Sequence, residues 1–259
     1  MRKTMNILDE LLAGLPKEPV PIRRVLAGVH WSAVCSRNCG LAVTLTNGGH
    51  HDEQSWIRVR NVGEVHHMSA QELAQWVHSK KTQEVSLGMA AINSLLPVDE
   101  RQAVVINAGD ILTEKGAGRN VVVVGHFPFT AALRSVACNC WVLEQQPQAG
   151  DLPAEAAPEV IPQADVVAIT GMALVNGTLD GLLALCPPGA LVMVLGPSTP
   201  LTPLWFEHGV TVYSGTRVID EELALRTIEQ GAGFRQVQGV RLLSFWREDE
   251  LGSETTSIE

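Results

Sequence analysis

The sequence predicts an α/β protein in which a doubly wound parallel sheet follows a smaller α+β unit. Beyond residue 101, strand-like runs alternate regularly with helix-like runs, which is typical of a doubly wound α/β domain. The strands are apolar nearly throughout, so they are expected to be buried on both faces, as in a parallel sheet. Before that point a strand meander is followed by helices, an α+β pattern. We therefore expect two domains, 1–100 and 101–259.

The first hundred residues carry clear helix and turn signals. Ser69-Ala-Gln-Glu72 is a capping box, which opens a helix. Asn47-Gly48-Gly49 is a hairpin turn signal. The predicted elements are a helix over 6–15 that stops at Pro16, strands over 22–34 and 40–46, a helix from 69 to about 78, and a helix over 84–96 that ends at Pro97.

The second part alternates between strand and helix patterns. Its predicted strands cover 120–124, 141–144, 164–170, 190–195 and 210–213, and its predicted helices cover 130–136, 154–160, 178–185, 203–208 and 220–230. If the strand at Trp141 starts earlier than predicted, Cys138 and Cys140 share one of its faces.

Composition and charge exclude several classes of protein. The chain is 46% hydrophobic and 18% charged, which is typical of globular domains, and its net charge is −9. Residues 101–259 hold 9 basic and 18 acidic side chains, so no basic surface for nucleic acid or an anionic membrane is expected. We find no signal peptide and no apolar run that could insert into a membrane, and we expect a cytoplasmic protein.

Three predicted strands end on a glycine followed by polar or aromatic residues. In open α/β sheets, ligands bind outside the carboxyl ends of the strands, and glycine allows a ligand to approach the backbone closely. These ends predict a ligand crevice. They comprise Gly125-His126-Phe127, Thr170-Gly171 and Gly196-Pro197-Ser198-Thr199.

Each candidate side chain has a functional and a structural interpretation. Thr178, Ser198 and Thr199 stand where helices could begin and bind an anion, or they are ordinary N-caps. His126 is either a general acid–base or metal ligand, or a loop histidine bonded to a backbone carbonyl. Glu144 and Asp151 could bind a ribose hydroxyl or a cation, or they are solvated loop acids.

The familiar nucleotide and nucleophile motifs do not occur in the sequence. No G-x-G-x-x-G follows the first strand of the second part, and there is no P-loop lysine and no G-x-S-x-G elbow. The motif evidence therefore does not favour an NAD enzyme, an NTPase or a serine hydrolase.

The histidines and cysteines suggest soft-metal ligands without completing a site. Six of the eight histidines lie in the first hundred residues, Cys35 and Cys39 form C-x3-C, and Cys138 and Cys140 form C-x-C. A structural zinc site needs a second paired ligand element, which the sequence lacks. We expect the cysteines to be small buried side chains rather than a disulfide framework, and the paired histidines to be exposed loop residues.

The runs VVVVGHFPF (121–129), VLEQQPQAGDLPAEAAPEVIPQADVVAITGMALVNGTLDGLL (142–183) and VLGPSTPL (194–201) resemble the putative heavy-metal chelation domain family. The first hundred residues, with GVHWSAVCS, GLAVTL and SLGMAAINSLL, are similar to the partner domain that precedes it, which resembles the enolase N-terminal domain. The resemblance implies a Rossmann-like domain joined to an enolase-N-like domain, with a ligand site in the cleft between them. Its candidate ligand-binding residues are Trp31, Ser32, Ser86, Asn93, Gly125, His126, Phe127, Glu144, Asp151, Thr170, Gly171, Asn176, Thr178, Gly196, Pro197, Ser198 and Thr199, with His126 and Glu144 as metal ligands.

Ser86 and Asn93 are seven residues apart and share one face of the predicted helix. They either point towards a ligand or make satisfied hydrogen bonds within helix packing.

The sequence leaves open two functions from different classes and a third, less favoured one. The first is binding of a small ligand, a transition-metal ion or a metal chelate, in the cleft. The second is an enzyme acting on a nucleotide-like or phosphorylated molecule, with His126 as acid–base. The third is a regulatory protein with a vestigial cleft. The expected partners are a small-molecule or metal ligand and neither nucleic acid nor membrane, and a homodimer is the default if the chain is not a monomer.

Overall fold

The computed structural model describes residues 5–45 and 59–248. It is a mixed α/β structure with a three-stranded antiparallel sheet and a seven-stranded, mostly parallel sheet. Contacts divide the chain into two compact units. Unit 1 is Met1–Val98, Pro197–Thr202 and Thr216–Arg241, and unit 2 is Asp99–Gly196, Pro203–Gly215 and Leu242–Glu259.

Ten strands and ten α-helices lie in the described residues. The strands are β1 Arg24–Ala27, β2 Trp31–Cys35, β3 Cys39–Val43, β4 Asn120–Val124, β5 Asn139–Glu144, β6 Leu152–Pro153, β7 Val166–Thr170, β8 Leu191–Leu195, β9 Val212–Val218 and β10 Val240–Trp246. The helices are α1 Ile7–Ala13, α2 Ala70–Ala74, α3 Thr82–Leu95, α4 Ala108–Lys115, α5 Thr130–Val136, α6 Ala157–Val160, α7 Met172–Val175, α8 Leu179–Leu185, α9 Leu204–Glu207 and α10 Glu221–Glu229. In this part of the chain, none of the helices is long and apolar enough to cross a bilayer.

Unit 1 is built around the central strand β2, whose five residues are all buried. The sheet order is β1-β2-β3, with Val34 paired to Gly40. Alternate side chains of a strand point to opposite faces. Trp31 and Ala33 belong to a core cluster that also contains residues of α10, while α3 packs closely against β2 and β3. Strand β2 is therefore covered on both faces.

Helix α3 approaches β3 so closely that Gly40 has no room for a side chain. A Cβ atom there would collide with the backbone oxygen of Ala90 and the backbone nitrogen of Ser94. The small residue thus sets the distance between the helix and the sheet.

Glu84 is a buried carboxylate in the first turn of α3, with its side chain 1% exposed. Its oxygens accept hydrogen bonds from the Ser79 hydroxyl (2.6 Å) and from the Arg60 backbone (2.9 Å) and guanidinium (2.8 Å). Burial alone would raise the pKa of Glu84, but the Ser79 and Arg60 hydrogen bonds outweigh it and lower the pKa to about 2.

Unit 2 holds the parallel part of the larger sheet, whose full order is β10-β9-β8-β7-β4-β5-β6. The pairs from β6 to β9 are parallel. The Arg247 N–H donates to the Thr211 oxygen (3.0 Å), so the end of β10 lies beside the start of β9 and that pair is antiparallel. Val121, Val122 and Val123 are fully buried, so β4 is covered on both faces. Because the strands from β4 to β9 run the same way, their carboxyl ends share one edge, here called the carboxyl edge, and their amino ends share the other, the amino edge.

Most predicted elements are confirmed, and the capping box at Ser69 and Glu72 is present. The predicted strand over 22–34 was wrong in one respect. It is two antiparallel strands, β1 and β2, because the chain turns at Gly28, whose N–H donates to the Trp31 oxygen (2.8 Å). The helix from 69 finishes as a 3-10 turn over 75–78. Elements α4, β6, α7 and β10 were not predicted, and β9 is longer than expected. The Asn47-Gly48-Gly49 turn lies outside the described residues.

Replacing Gly40 with alanine is expected to destabilise the protein by about 1–3 kcal/mol, because the new methyl group must push two backbone segments apart. The measurement is urea unfolding followed by circular dichroism. Gly181→Ala on α8 is the matched control. Its Cβ would meet nothing within 4 Å, so the control should be neutral or slightly stabilising. A Gly40→Ala protein as stable as the control would contradict the close approach.

Glu84→Gln tests the buried carboxylate through pH. The folded pKa lies below the ordinary value, so the carboxylate stabilises the fold above about pH 4.5, and this contribution is lost as pH falls towards 2. At pH 7 we expect Glu84→Gln to unfold with a free energy lower by about 1–2 kcal/mol, since Arg60 is half-exposed and screened. The difference from wild type should shrink on acidification. Glu18→Gln, at an exposed side chain, is the control, and a difference that persists unchanged at low pH would refute the account.

Candidate functional site

The carboxyl edge of the sheet in unit 2 contains two glycines whose backbone conformation other residues rarely adopt. Gly125 follows β4 with φ +104° and Gly196 follows β8 with φ +123°, a region of backbone conformation that favours glycine. A Cβ on Gly125 would also lie 3.1 Å from the Thr170 side chain, at the end of β7. The ends of β4 and β7 are thus packed closely here.

Three ionisable side chains meet beside this edge. The His126 Nδ1 lies 3.4 Å from Asp151 Oδ2, and Arg134 Nη2 donates to the other oxygen, Oδ1, at 3.1 Å. The Asp151 side chain is 1% exposed, whereas those of His126 and Arg134 are 43% and 36% exposed. One buried carboxylate therefore holds two partly exposed nitrogen groups in fixed positions.

The pKa values of the neighbouring groups follow from this arrangement. Burial alone would raise the pKa of Asp151, but the Gln148 N–H, Arg134 and His126 together lower it below its ordinary value. The carboxylate is therefore charged at neutral pH. Burial raises the pKa of the Cys140 thiol, although Arg134 opposes this, so Cys140 is a neutral thiol rather than an activated one.

A pocket of about 340 Å³ lies beside this group, lined by His126, Phe127, Pro128, Thr130, Ala131 and Arg134. The rings of Phe127 and Phe129 stack with centroids 5.0 Å apart, and Thr130 Oγ1 donates to the Phe127 oxygen (2.7 Å). The aromatic pair and the threonine fix the turn between β4 and α5, so one wall of the pocket is rigid while His126 and Arg134 supply its polar groups.

The other candidates in unit 2 lie at the carboxyl ends of their strands without joining this contact. The Glu144 carboxylate, at the end of β5, accepts from the Gln145 N–H (3.2 Å). Thr170 Oγ1 accepts from the Met172 N–H (3.3 Å), and Gly171 precedes α7. Asn176 is exposed, and Thr178 occupies the N-cap position of α8 without capping it through its side chain.

Ser198 and Thr199 were expected where a helix could begin, and this was wrong. They lie in a turn and in the irregular segment after it, because the next helix, α9, starts only beyond Pro203. Within unit 1 the hydroxyl of Ser198, which follows Pro197, accepts the N–H of Val43 in β3 (2.8 Å). Ser198 therefore ties its segment to the end of β3.

Ser86 and Asn93 on α3 are engaged in packing. Ser86 Oγ accepts the Leu45 N–H (2.9 Å) and donates to the Thr82 oxygen (3.1 Å). Asn93 Nδ2 donates to the oxygens of Leu41 (2.8 Å) and Ser198 (3.1 Å). The structural interpretation of this pair is therefore supported.

Three candidates of unit 1 keep buried polar atoms without a hydrogen bond from the described residues. These atoms are Trp31 Nε1, Asn93 Oδ1 and Thr199 Oγ1. Buried polar groups are normally hydrogen-bonded, so such atoms call for a partner. Ser32, by contrast, shares a hydrogen bond with Thr44 (3.0 Å).

Metal-ligand side chains do not gather into a complete site in the described residues. Over 5–45 and 59–248, no three His, Cys, Asp or Glu side chains could hold one ion. Cys35 and Cys39 form a disulfide across the β2–β3 turn, which the sequence analysis did not predict. His66 and His67 are exposed, as predicted, and His50 and His51 lie outside the described residues.

Arg134 is the member of the group that sequence reasoning missed. It is the only charged residue of α5, TAALRSV, and a lone guanidinium on an otherwise uncharged helix was the available signal. Its partner Asp151 could be identified only from the fold, because 17 residues separate them.

The chain is an α/β protein in which a buried carboxylate orients a histidine at the carboxyl edge of a parallel sheet. Comparison with family models shows to which family it belongs. The DUF364 model, described as "Putative heavy-metal chelation", matches residues 107–247, and the DUF4213 model, with the same description, matches residues 8–96. The chain belongs to this putative heavy-metal chelation family. No protein of curated function matches it.

Solved structures resemble most of the chain, and two of them are described here. A protein of unknown function from the DUF364 family of Desulfitobacterium hafniense is 25% identical, with a TM-score of 0.79, covering 93% of this chain and 98% of that one. A second DUF364 protein of unknown function, from Pyrococcus horikoshii, is 20% identical, with a TM-score of 0.75, and also covers 93% of this chain and 98% of that one. At this identity the likeness supports the fold alone.

Asn93→Ala is expected to destabilise the protein by about 1–3 kcal/mol, because two carbonyl groups lose their donor. Chemical unfolding measures the change, and Asn176→Ala, at an exposed asparagine, should stay within about 0.5 kcal/mol of wild type. Equal stability of the two variants would contradict the packing role of Asn93.

Proposed function

We propose that this chain binds a heavy metal in complexed form, with His126 supplying the protein's nitrogen ligand. The observation that carries the proposal is the contact between His126 Nδ1 and the buried Asp151 carboxylate. The family's description as putative heavy-metal chelation supports a metal as part of the ligand.

A carboxylate beside one imidazole nitrogen is the usual support of a metal-binding histidine. It fixes the tautomer and the ring orientation, and it raises the basicity of the other nitrogen. With Nδ1 directed to Asp151, Nε2 of His126 is the atom that would bind the metal, at about 2.0–2.1 Å for zinc. The partly exposed ring lines the 340 Å³ pocket, so a ligand can reach it.

The charges favour a metal complex over a bare ion. Both oxygens of Asp151 are engaged, one with His126 and one with Arg134, so this carboxylate orients its neighbours rather than ligating. The group then offers one nitrogen, with Glu144 as the second protein ligand that we propose. An organic chelator would supply the remaining donors, and its carboxylate or phosphate groups would pair with Arg134.

The remaining candidates are proposed as contacts to the organic part of the ligand. At the carboxyl edge these are the backbone of Gly125, Gly171 and Gly196 and the side chains of Thr170, Asn176 and Thr178. The buried atoms of Trp31, Asn93 and Thr199 in unit 1 call for partners of their own.

The finer fold assignment is also part of this proposal. We infer that the larger sheet with its helices is Rossmann-like, because parallel strands buried on both faces require helical cover on each side. We infer that unit 1 is enolase-N-like, because an antiparallel meander packs there on helix α3, which in turn packs on α2.

The same contact also favours a second candidate, an enzyme with His126 as general acid–base. An imidazole oriented by a carboxylate can accept and return a proton, and Arg134 would hold a phosphorylated substrate. This candidate predicts a bound organic molecule without metal, whereas chelate binding predicts both together.

The test compares retention of Zn²⁺ alone with retention of the Zn²⁺–nitrilotriacetate complex by the purified full chain. Native mass spectrometry and elemental analysis follow desalting. We expect the complex to be retained at one equivalent, and Asp151→Asn to weaken it about 10–100-fold, with His126→Ala at least as damaging.

His78→Ala is the matched control, because the His78 ring also lies beside a carboxylate, that of Asp9 (3.5 Å), but on the exposed surface. Equal retention by His126→Ala and wild type would contradict the assignment. A metal-free chain that carries a phosphorylated molecule lost in His126→Ala would support the enzyme instead.

A further inference from the structure

The 340 Å³ pocket beside His126 combines a carbon wall with a few polar groups. Three of the six residues that line it, Phe127, Pro128 and Ala131, contribute only carbon side-chain atoms, while His126 and Arg134 carry its nitrogen groups. Sites for small organic molecules usually have this composition, in which apolar surface gives contact area and polar groups fix the orientation. The organic part of the ligand is therefore expected to have an apolar side as well as a charged one.

The aromatic ring in this wall is held in a fixed orientation. The planes of the Phe127 and Phe129 rings lie 14° apart, and a Cβ atom on Gly125 would be 3.4 Å from Phe127 Cε2. The backbone of Phe127 is fixed by the Thr130 hydroxyl, which donates to its oxygen (2.7 Å). A ring that is already ordered loses little side-chain entropy on binding, and it attracts other rings in stacked or edge-to-face arrangements. An aromatic ligand thus gains more from this wall than an aliphatic one.

The charged groups beside the pocket limit the charge of the ligand. Arg134 Nη2 donates to the Gly150 oxygen (2.8 Å) and to Asp151 Oδ1 (3.1 Å). A guanidinium has five N–H donors, so Arg134, whose side chain is 36% exposed, can also pair with a ligand group. Because the buried Asp151 carboxylate already offsets this charge, a singly charged carboxylate matches Arg134 better than a doubly charged phosphate does.

We propose that the organic part of the metal complex is a planar heteroaromatic carboxylate, of the pyridine-2-carboxylate class. Its ring nitrogen and its carboxylate hold the metal in the plane of the ring, and Nε2 of His126 binds the metal from the protein. The outer carboxylate oxygen pairs with Arg134, and the ring packs against Phe127. This ligand class depends on the metal-complex function proposed for the same pocket.

The probes are two zinc complexes that share their donor atoms and their charge, those of pyridine-2,6-dicarboxylate and of iminodiacetate. Both chelators bind zinc through a nitrogen and a pair of carboxylates, but only the first is aromatic. Each complex is titrated calorimetrically into the full chain. We expect the Kd of the pyridinedicarboxylate complex to be lower by about three- to tenfold, the gain of one aromatic contact. Metal-free pyridinedicarboxylate should bind more weakly than its complex.

Phe127→Leu removes the ring and keeps an apolar side chain. It should abolish the preference for the aromatic complex while leaving the Kd of the iminodiacetate complex nearly unchanged. Phe234→Leu is the matched control, because Phe234 is another partly exposed aromatic residue, 38% exposed, in unit 1, and the preference should persist there. Arg134→Gln should weaken both complexes alike, since both carry carboxylates. Circular dichroism checks that each variant is folded.

The outcomes separate the ligand class from the function on which it depends. Equal Kd values of the two complexes for wild type, or a preference that persists in folded Phe127→Leu, would overturn the aromatic class and leave the metal-complex function standing. The wild-type comparison needs no variant, so it decides even if Phe127→Leu does not fold. Metal-free pyridinedicarboxylate that binds as tightly as its complex would also overturn the proposal. Binding of neither complex by the folded full chain would overturn both.

Discussion

The parallel pairing of β4 with β5 and β7 is the constraint on which the rest of unit 2 depends. Val121 to Val123 are buried on both faces, so the strands cannot slip in register without exposing apolar surface. A fixed register brings the carboxyl ends of the strands into line. Gly125 can then approach Thr170, and the chain after β4 turns His126 towards Asp151. The candidate site is thus a consequence of strand order and burial, completed by a few polar residues.

Elements of the fold that depend on neighbouring residues could be predicted from the sequence, whereas contacts between residues far apart in the chain could not. Helix α3 and strands β4, β7 and β8 were predicted closely, because periodicity and capping signals lie within a few residues. Strand β10 was missed, although its last four residues are all buried, and β9 was cut short at Tyr213 because Ser214 and Gly215 interrupt the apolar run. Helix α10 packs on β2, which lies nearly 200 positions earlier in the chain, and Glu221 of α10 pairs with Arg23, just before β1. No local pattern indicates partners so far apart.

The candidate site residues also fall into those that the sequence could identify and those whose role only the fold reveals. His126, Gly125 and Asp151 were identified because they follow strands, which is where α/β proteins bind ligands. The sequence could not decide between a solvated loop acid and a functional one at Asp151. The structure shows a side chain 1% exposed between Arg134 and His126. Ser198 was identified for the wrong reason, since it does not start a helix but accepts the N–H of Val43.

The carboxyl edge of the sheet in unit 2 has a charge arrangement that bears on the kind of ligand we propose there. At the carboxyl edge, Asp151 is paired with Arg134 and His126, so the group is close to electroneutral and suits a ligand that brings its own compensated charge, as a metal complex does. Because a parallel sheet places all its strand ends at one edge, the ligand residues that we propose after β4, β5 and β7 lie along that same edge.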